Sequence, residues 1–295
     1  MSFLILIIGF ALLIKGADVF VEGASSIAKK FNVPSMIIGL TIVAMGTSAP
    51  EAAVSVTSSL AGQNDMSVAN VVGSNFFNVL VVLGVSSIIA KLPVQEETIK
   101  KDTPFLILVS ILLLVFGINL KLGRIEGLAL LGLFTYFLVN TIKSAKKATE
   151  DDSLETGETA IAIETQTSSE ISLPKTILVS LVGIAGIVIG GDMVVNSATS
   201  IATSLGMSAN LVGLTIVAVG TSLPEFVTSI VAIKKGETEI AIGNVIGSNL
   251  FNILLVLGLA AVINPISMSM LAFIDIIFMV LITLLLYMFM KKRNS

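Results

Sequence analysis

The sequence predicts an all-α integral membrane protein built from two inverted-topology repeats, and three observations lead there. Of 295 residues 55% are hydrophobic and only 13% charged, against roughly 25% charged in a soluble domain. Apolar runs long enough to cross roughly 30 Å of hydrocarbon recur along the whole length, which excludes a soluble enzyme held by a single anchor. Shifting the chain by 174 lays residues 39–84 on 213–258 without a gap, with 24 of 46 positions identical.

Nine spans follow in order. The first, about 2 to 28, has no basic leader before it and more membrane helix after it, so it reads as a retained helix rather than a signal peptide. Under the same shift its Gly9, Gly16, Asp18 and Ala28 fall on Gly183, Gly190, Asp192 and Ala202. The two aspartates read as structural partners of a neighbouring polar group or interface. The second span, 33 to 60, is interrupted by GTSAPE at 46–51, where Pro50 removes a donor and kinks or breaks the helix. The third, 67 to 90, contains NVVGSNFFNVLVVLG at 70–84. The fourth and fifth, 103 to 119 and 125 to 143, are apolar and carry no candidate residue.

Residues 144–173, with seven acids and many Ser and Thr, break the oily pattern and read as a flexible acidic linker. The second half then repeats the first. After the sixth span, 175 to 203, the seventh at 208 to 233 carries GTSLPE at 220–225. The eighth, 239 to 263, carries NVIGSNLFNILLVLG at 244–258, and the ninth, 268 to 290, corresponds loosely to the fourth. The fifth has no counterpart before the chain stops at KKRNS. The division is therefore 1–143 for a first repeat of five helices, 144–173 for the linker and 174–295 for a second repeat of four. Five helices separate equivalent positions, and an odd number reverses direction, so the halves are inverted. Such repeats with interrupted helices near the midplane are the architecture of alternating-access secondary transporters.

Charge sorting gives the orientation. With alternating spans, one side collects fourteen basic residues, from Lys29 and Lys30 to Lys292 and Arg293, and the other only Lys121 and Arg124. The basic side is cytoplasmic by the positive-inside rule, which puts the N-terminus outside and the linker inside.

The chain contains no Cys and no His, so thiolate and imidazole ligands are absent and any metal handled must accept oxygen. Thr47 and Glu51 stand one helical turn apart with Ser48 three residues from Glu51, and Thr221, Ser222 and Glu225 repeat the pattern. Pro50 cannot donate to the carbonyl of Gly46, and the same distortion is expected to expose neighbouring carbonyls such as that of Ala44. Ser74 and Asn78 lie one turn apart, as do Ser248 and Asn252. Together these bring two carboxylates, hydroxyls, amides and carbonyls to one place, a donor set suited to a hard cation such as Ca²⁺. A channel would need a continuous pore with a ring of ligands. An enzyme would need acids in unlike settings, whereas the two glutamates are equivalent.

The paired GTSAPE and GTSLPE with GSNFFN and GSNLFN resemble the two alpha-repeats of the calcium/cation antiporter superfamily, specifically the prokaryotic sodium/calcium exchangers. The resemblance covers all but the linker and the C-terminal end. It implies a multi-pass cell-membrane antiporter that exchanges Na⁺ for Ca²⁺, with these ions as substrates and no cofactor, enzyme activity or nucleic-acid partner. Glu51 and Glu225 would be the central ligands. Thr47, Ser48, Thr221, Ser222, Ser74, Ser248 and the carbonyls of Ala44 and Ala218 would complete the calcium and flanking sodium sites, with Asn78 and Asn252 lining the centre. Proton-driven or potassium-dependent calcium exchange are the neighbouring possibilities. The chain departs from the pattern twice: the family usually has ten helices, and many relatives carry Asp where Asn252 stands here.

Overall fold

The computed structural model describes residues 1–62, 64–156, 173–207, 216 and 218–293, nearly all of them helical. Helix α1 (Ser2–Lys30) is followed by α2 (Ser35–Thr47) and α3 (Ala49–Leu60), which meet at a 48° bend and form one broken span. Then come α4 (Met66–Ile89) and α5 (Thr98–Asn119), α6 (Arg124–Thr156), and α7 (Leu173–Ser204). The short α8 (Ala218–Gly220) precedes α9 (Leu223–Lys234), α10 (Thr238–Ile263) and α11 (Met270–Lys292). Seven helices among the described residues can cross a membrane singly, and the broken pair makes an eighth crossing. The remaining expected span, 208 to 233, lies partly outside the described residues.

Two features differ from the sequence-based expectation. Helix α6 continues to Thr156, past the expected start of the linker at 144, because the stretch is rich in Ala, Lys and Glu, which favour helix. Residues 157–172 of that linker lie outside the described residues. The spans also contain π-helical turns, at Gly39–Val43, Asn78–Leu83 and Asn252–Leu257. The last two are symmetry mates and open at the two candidate asparagines. Such one-turn π segments inside α-helices are frequent at functional sites.

The proline break is local. Ser48 takes φ −83° and ψ 10° between α2 and α3, and Pro50 falls in the first turn of α3, where a missing N–H costs nothing. Ser222, with φ −91° and ψ 5°, and Pro224 repeat this at the start of α9.

Contacts between the halves give their relative direction. At one end Lys235 pairs with Asp18 at 2.9 Å and Glu22 at 3.3 Å, Lys29 pairs with Glu237 at 3.4 Å, and Gln95 donates to Glu239 at 2.7 Å. At the other, strands β1 (Lys121–Leu122) and β2 (Ile266–Ser267) pair antiparallel, Ser2 meets Ser200 at 3.3 Å, and Asn264 donates to the carbonyl of Ser59 at 3.2 Å. These are the two sides that charge sorting distinguishes. They require the second half to run upside down relative to the first. Asp18 is thereby an interface residue, as expected, and Glu22, which carried no expectation, joins the same ion pair.

Helices α1 and α7 pack against each other along most of their lengths, because glycine lets their backbones touch. A Cβ on Gly16 would meet the carbonyl oxygen of Gly183 at 2.8 Å and the amide nitrogen of Ile187 at 2.7 Å. Without a hydrophobic effect between helices in lipid, such close approach is what holds a pair together. Their outer faces, including Phe3, Leu4, Ile7, Leu178 and Val182, stay exposed to lipid.

Gly16→Leu should therefore force the helices apart and cost at least the roughly 1–3 kcal/mol of overpacking. Gly84→Ala, where no atom stands within 4 Å of the added Cβ, should change stability by no more than about 1 kcal/mol, and in the stabilising direction. Thermal unfolding of the two variants in detergent, followed by size-exclusion profile, checks the contrast.

Candidate cation-binding site

The two breaks and the two π turns bring GTSxPE and GSNxFN of both halves to one point in the bundle. Glu51 and Glu225 are each 0% exposed, as are Thr47, Ser48, Ser222, Asn78, Asn252 and Ser248, with Ser74 at 1% and Thr221 at 7%. The chain is thus closed over the site from both ends. Ala44 is buried beside it, and its carbonyl accepts from the Ser48 amide at 3.0 Å, since α2 remains hydrogen-bonded up to the break. Ala218 opens α8, and its side chain lies outside the described residues.

The hydroxyls do not serve the glutamate of their own motif. Ser48 Oγ donates to Glu225 Oε1 at 2.7 Å, and Ser222 Oγ donates to Glu51 Oε1 at 3.2 Å. Sequence spacing places Ser48 near Glu51. The break at Ser48 instead turns its side chain across the pseudo-twofold axis to the other half. Ser74, on α4, donates to Glu51 at 3.4 Å.

A second layer escaped the sequence reading. Asn70 Nδ2 donates to the Glu51 carbonyl at 3.2 Å and to Ser55 Oγ at 2.9 Å. Its mate Asn244 does the same to the Glu225 carbonyl at 3.3 Å and Ser229 Oγ at 3.0 Å. Their amide oxygens accept across the axis, from Thr221 at 3.4 Å and Thr47 at 3.0 Å. These asparagines clamp the kinked helix of their own half and hold the threonine of the other. The signal was present: Asn70 and Ser55 fall on Asn244 and Ser229 under the 174 shift, but as neutral residues outside the GTSxPE motif they did not stand out.

What the site lacks is as informative as what it holds. Oε2 of both glutamates and Oδ1 of both Asn78 and Asn252 are buried without a hydrogen-bond partner, and so is Ser248 Oγ. The other buried unpartnered atoms, on Ser86, Thr98, Thr199 and Thr228, are hydroxyls with no symmetry mate among them. The four carboxylate and amide oxygens form two symmetric pairs, and all are acceptors. Among the described residues no group of three or more acids, Cys or His converges. A buried acceptor without a donor is costly, and an uncompensated buried carboxylate is more so.

Comparison with known proteins places this arrangement in a family. The family model described as sodium/calcium exchanger protein matches residues 1–143 and 175–295. This chain belongs to the sodium/calcium exchanger protein family. The inner membrane protein YrbG of Escherichia coli (strain K12) is 36% identical over 295 residues, covering 98% of this chain and 89% of that protein. The sodium/calcium exchanger MaX1 of Methanosarcina acetivorans is 34% identical over 319 residues, covering 98% and 91%. The solved structure of the sodium-calcium exchanger NCX_Mj superposes with a TM-score of 0.84 at 31% identity, covering 98% of this chain and 90% of that one. This exchanger-family chain is accordingly a multi-pass membrane antiporter of cations including Ca²⁺, and not an enzyme.

Asn244→Leu removes the donor to the Glu225 carbonyl and strands both Ser229 and the Thr47 contact. We expect a stability loss of about 1–3 kcal/mol per unsatisfied buried group, read as a lowered unfolding midpoint. Asn140→Leu, at an exposed position on α6, should leave the midpoint near that of the parent chain.

Proposed function

We propose that this antiporter exchanges Na⁺ for Ca²⁺ by alternating access, with Glu51 and Glu225 as the central ligands. The single observation that carries the reading is the pair of fully buried glutamates, each with one oxygen held by a serine of the opposite repeat and the other bare. Thr47, Ser48, Thr221, Ser222, Ser74, Ser248, the Ala44 and Ala218 carbonyls, Asn78 and Asn252 supply neutral oxygens around them. Ca²⁺ takes six to eight oxygens of this kind. Because Ser48 and Ser222 each reach the glutamate of the opposite repeat, an ion bound centrally draws the halves together, and release to one side requires parting them at that end. The membrane is the cell membrane, with the N-terminus outside and the linker between the repeats, from 144 to 173, in the cytoplasm.

The charge count sets the stoichiometry question. Two carboxylates match one Ca²⁺, whereas three Na⁺ leave the loaded site one charge positive. That surplus is tolerable where the sodium ions are spread over separate hydroxyl and carbonyl positions, since close like charges repel strongly in a low-dielectric site. Exchange of three Na⁺ for one Ca²⁺ is then electrogenic, biased by about 2.3 kcal/mol per 100 mV. A second reading, proton-driven calcium exchange, draws on the same bare Oε2 atoms, which could hold protons.

Glu51→Gln or Glu225→Gln should each abolish Na⁺-driven ⁴⁵Ca²⁺ uptake into sealed vesicles while leaving inserted, monodisperse protein. Substantial uptake in either variant would contradict the ligand assignment, and uptake driven by pH without Na⁺ would select the proton reading. With the Na⁺ gradient fixed and vesicle potential clamped by valinomycin, Ca²⁺ flux should follow voltage. A voltage-indifferent flux would mean two Na⁺ per Ca²⁺.

A further inference from the structure

Asn75 and Asn249, 2% and 1% exposed, stand three residues before Asn78 and Asn252 and belong to no ligand set described above. Their hydrogen bonds form a relay whose polarity is fixed at one end. The backbone carbonyl of Asn249 can only accept, and it faces the Asn75 amide at 3.4 Å. The Asn75 group that meets it must therefore be Nδ2, which also points at the Met279 sulfur at 3.5 Å. Asn75 Oδ1 is left on the opposite side and can only accept in turn. It receives Nδ2 of Asn252 at 3.1 Å. That bond turns the Asn252 oxygen the other way, where it is buried and bare. On the mirror side, Asn249 Oδ1 receives Nδ2 of Asn78 at 3.0 Å, and the Asn78 oxygen is likewise left bare.

An asparagine without such partners can rotate its amide by half a turn and present two N–H donors where a cation needs an acceptor. We propose that Asn75 and Asn249 are positioning residues that hold the amides of Asn252 and Asn78 oxygen-first toward the transported ion. This rests on the exchanger reading above. The relay also suits an amide rather than a carboxylate at 252. An ionised carboxylate there would set its own lone pairs against Asn75 Oδ1, and Asn75 could turn only by opposing its oxygen to the Asn249 carbonyl. The relay thus favours a neutral oxygen at the centre and limits the site to the two glutamate charges.

The test is a double-mutant cycle on the full-length protein in sealed vesicles, reading the KM for Ca²⁺ in Na⁺-driven ⁴⁵Ca²⁺ uptake. Asn252→Leu, which deletes the oxygen, should raise KM about tenfold, the equivalent of one lost polar contact. Asn75→Leu, which removes no ligand, should raise it by a similar factor. The double variant should also show about tenfold, because the second change acts only through the oxygen already gone. Multiplicative effects near a hundredfold, or an unchanged KM in Asn75→Leu with only less folded protein, would overturn the proposal. Should Asn75→Leu fail to insert, the Asn249→Leu and Asn78→Leu cycle makes the same test. Absence of Na⁺-driven uptake in the unaltered protein overturns the exchanger reading and the relay together, whereas uptake with multiplicative KM changes overturns the relay alone.

Discussion

Two carboxylates buried side by side in a helical bundle, with no basic residue placed to neutralise them, are the constraint on which the rest of this structure depends. Glu51 and Glu225 are fully enclosed, and the donors that reach them are hydroxyls and backbone amides rather than ammonium or guanidinium groups. An internal ion pair would have satisfied them and closed the site permanently. On the proposed exchanger reading, the bare half of each carboxylate would make occupancy by a mobile cation part of the stability of the fold.

The exchange of partners across the pseudo-twofold axis couples this charge to the shape of the molecule. Ser48 serves Glu225 and Ser222 serves Glu51, while Thr47 and Thr221 reach the second-layer asparagines of the opposite half. No half holds its own glutamate alone. An ion that binds one carboxylate is necessarily held by both repeats, so the relation between repeats and the occupancy of the site report on each other. The proline breaks make this possible: a continuous helix would have directed Ser48 along its own helix face, and only the interruption at Ser48 sends the hydroxyl sideways.

The symmetry is kept at the centre and relaxed at the periphery. At the centre the proline breaks, the π turns at Asn78 and Asn252 and the bare glutamate and asparagine oxygens come in pairs. At one end, Lys235 bridges Asp18 and Glu22. The residues that the 174 shift brings to the other end, Ala61 opposite Asp192 and Asn196, cannot form an ion pair. The two ends of the bundle are thus chemically unlike although the ion site is nearly alike in both directions. The difference between the ends lies in these peripheral charged residues, and the paired glutamates lie in the repeat core.

The sequence by itself determined the class of fold, the duplication and the identity of the two central acids. Composition and the 174-residue shift are properties of the chain order, and a charge or proline inside an apolar span is costly enough to mark its own position. The inverted arrangement was legible for the same reason, since an odd number of spans between copies admits no other direction. What only the tertiary structure decided is which oxygen meets which. The crossing of Ser48 to Glu225 and the relay through Asn75 and Asn249 join residues more than 150 apart in sequence, whereas the clamp by Asn70 and Asn244 and the π turns at Asn78 and Asn252 depend on amide orientation and on a local departure from α-helical hydrogen bonding. Helical periodicity carries no record of either. A neutral asparagine costs little to place anywhere in a polar core, so its residue type does not announce its role; only the carbonyl or hydroxyl it faces gives it one.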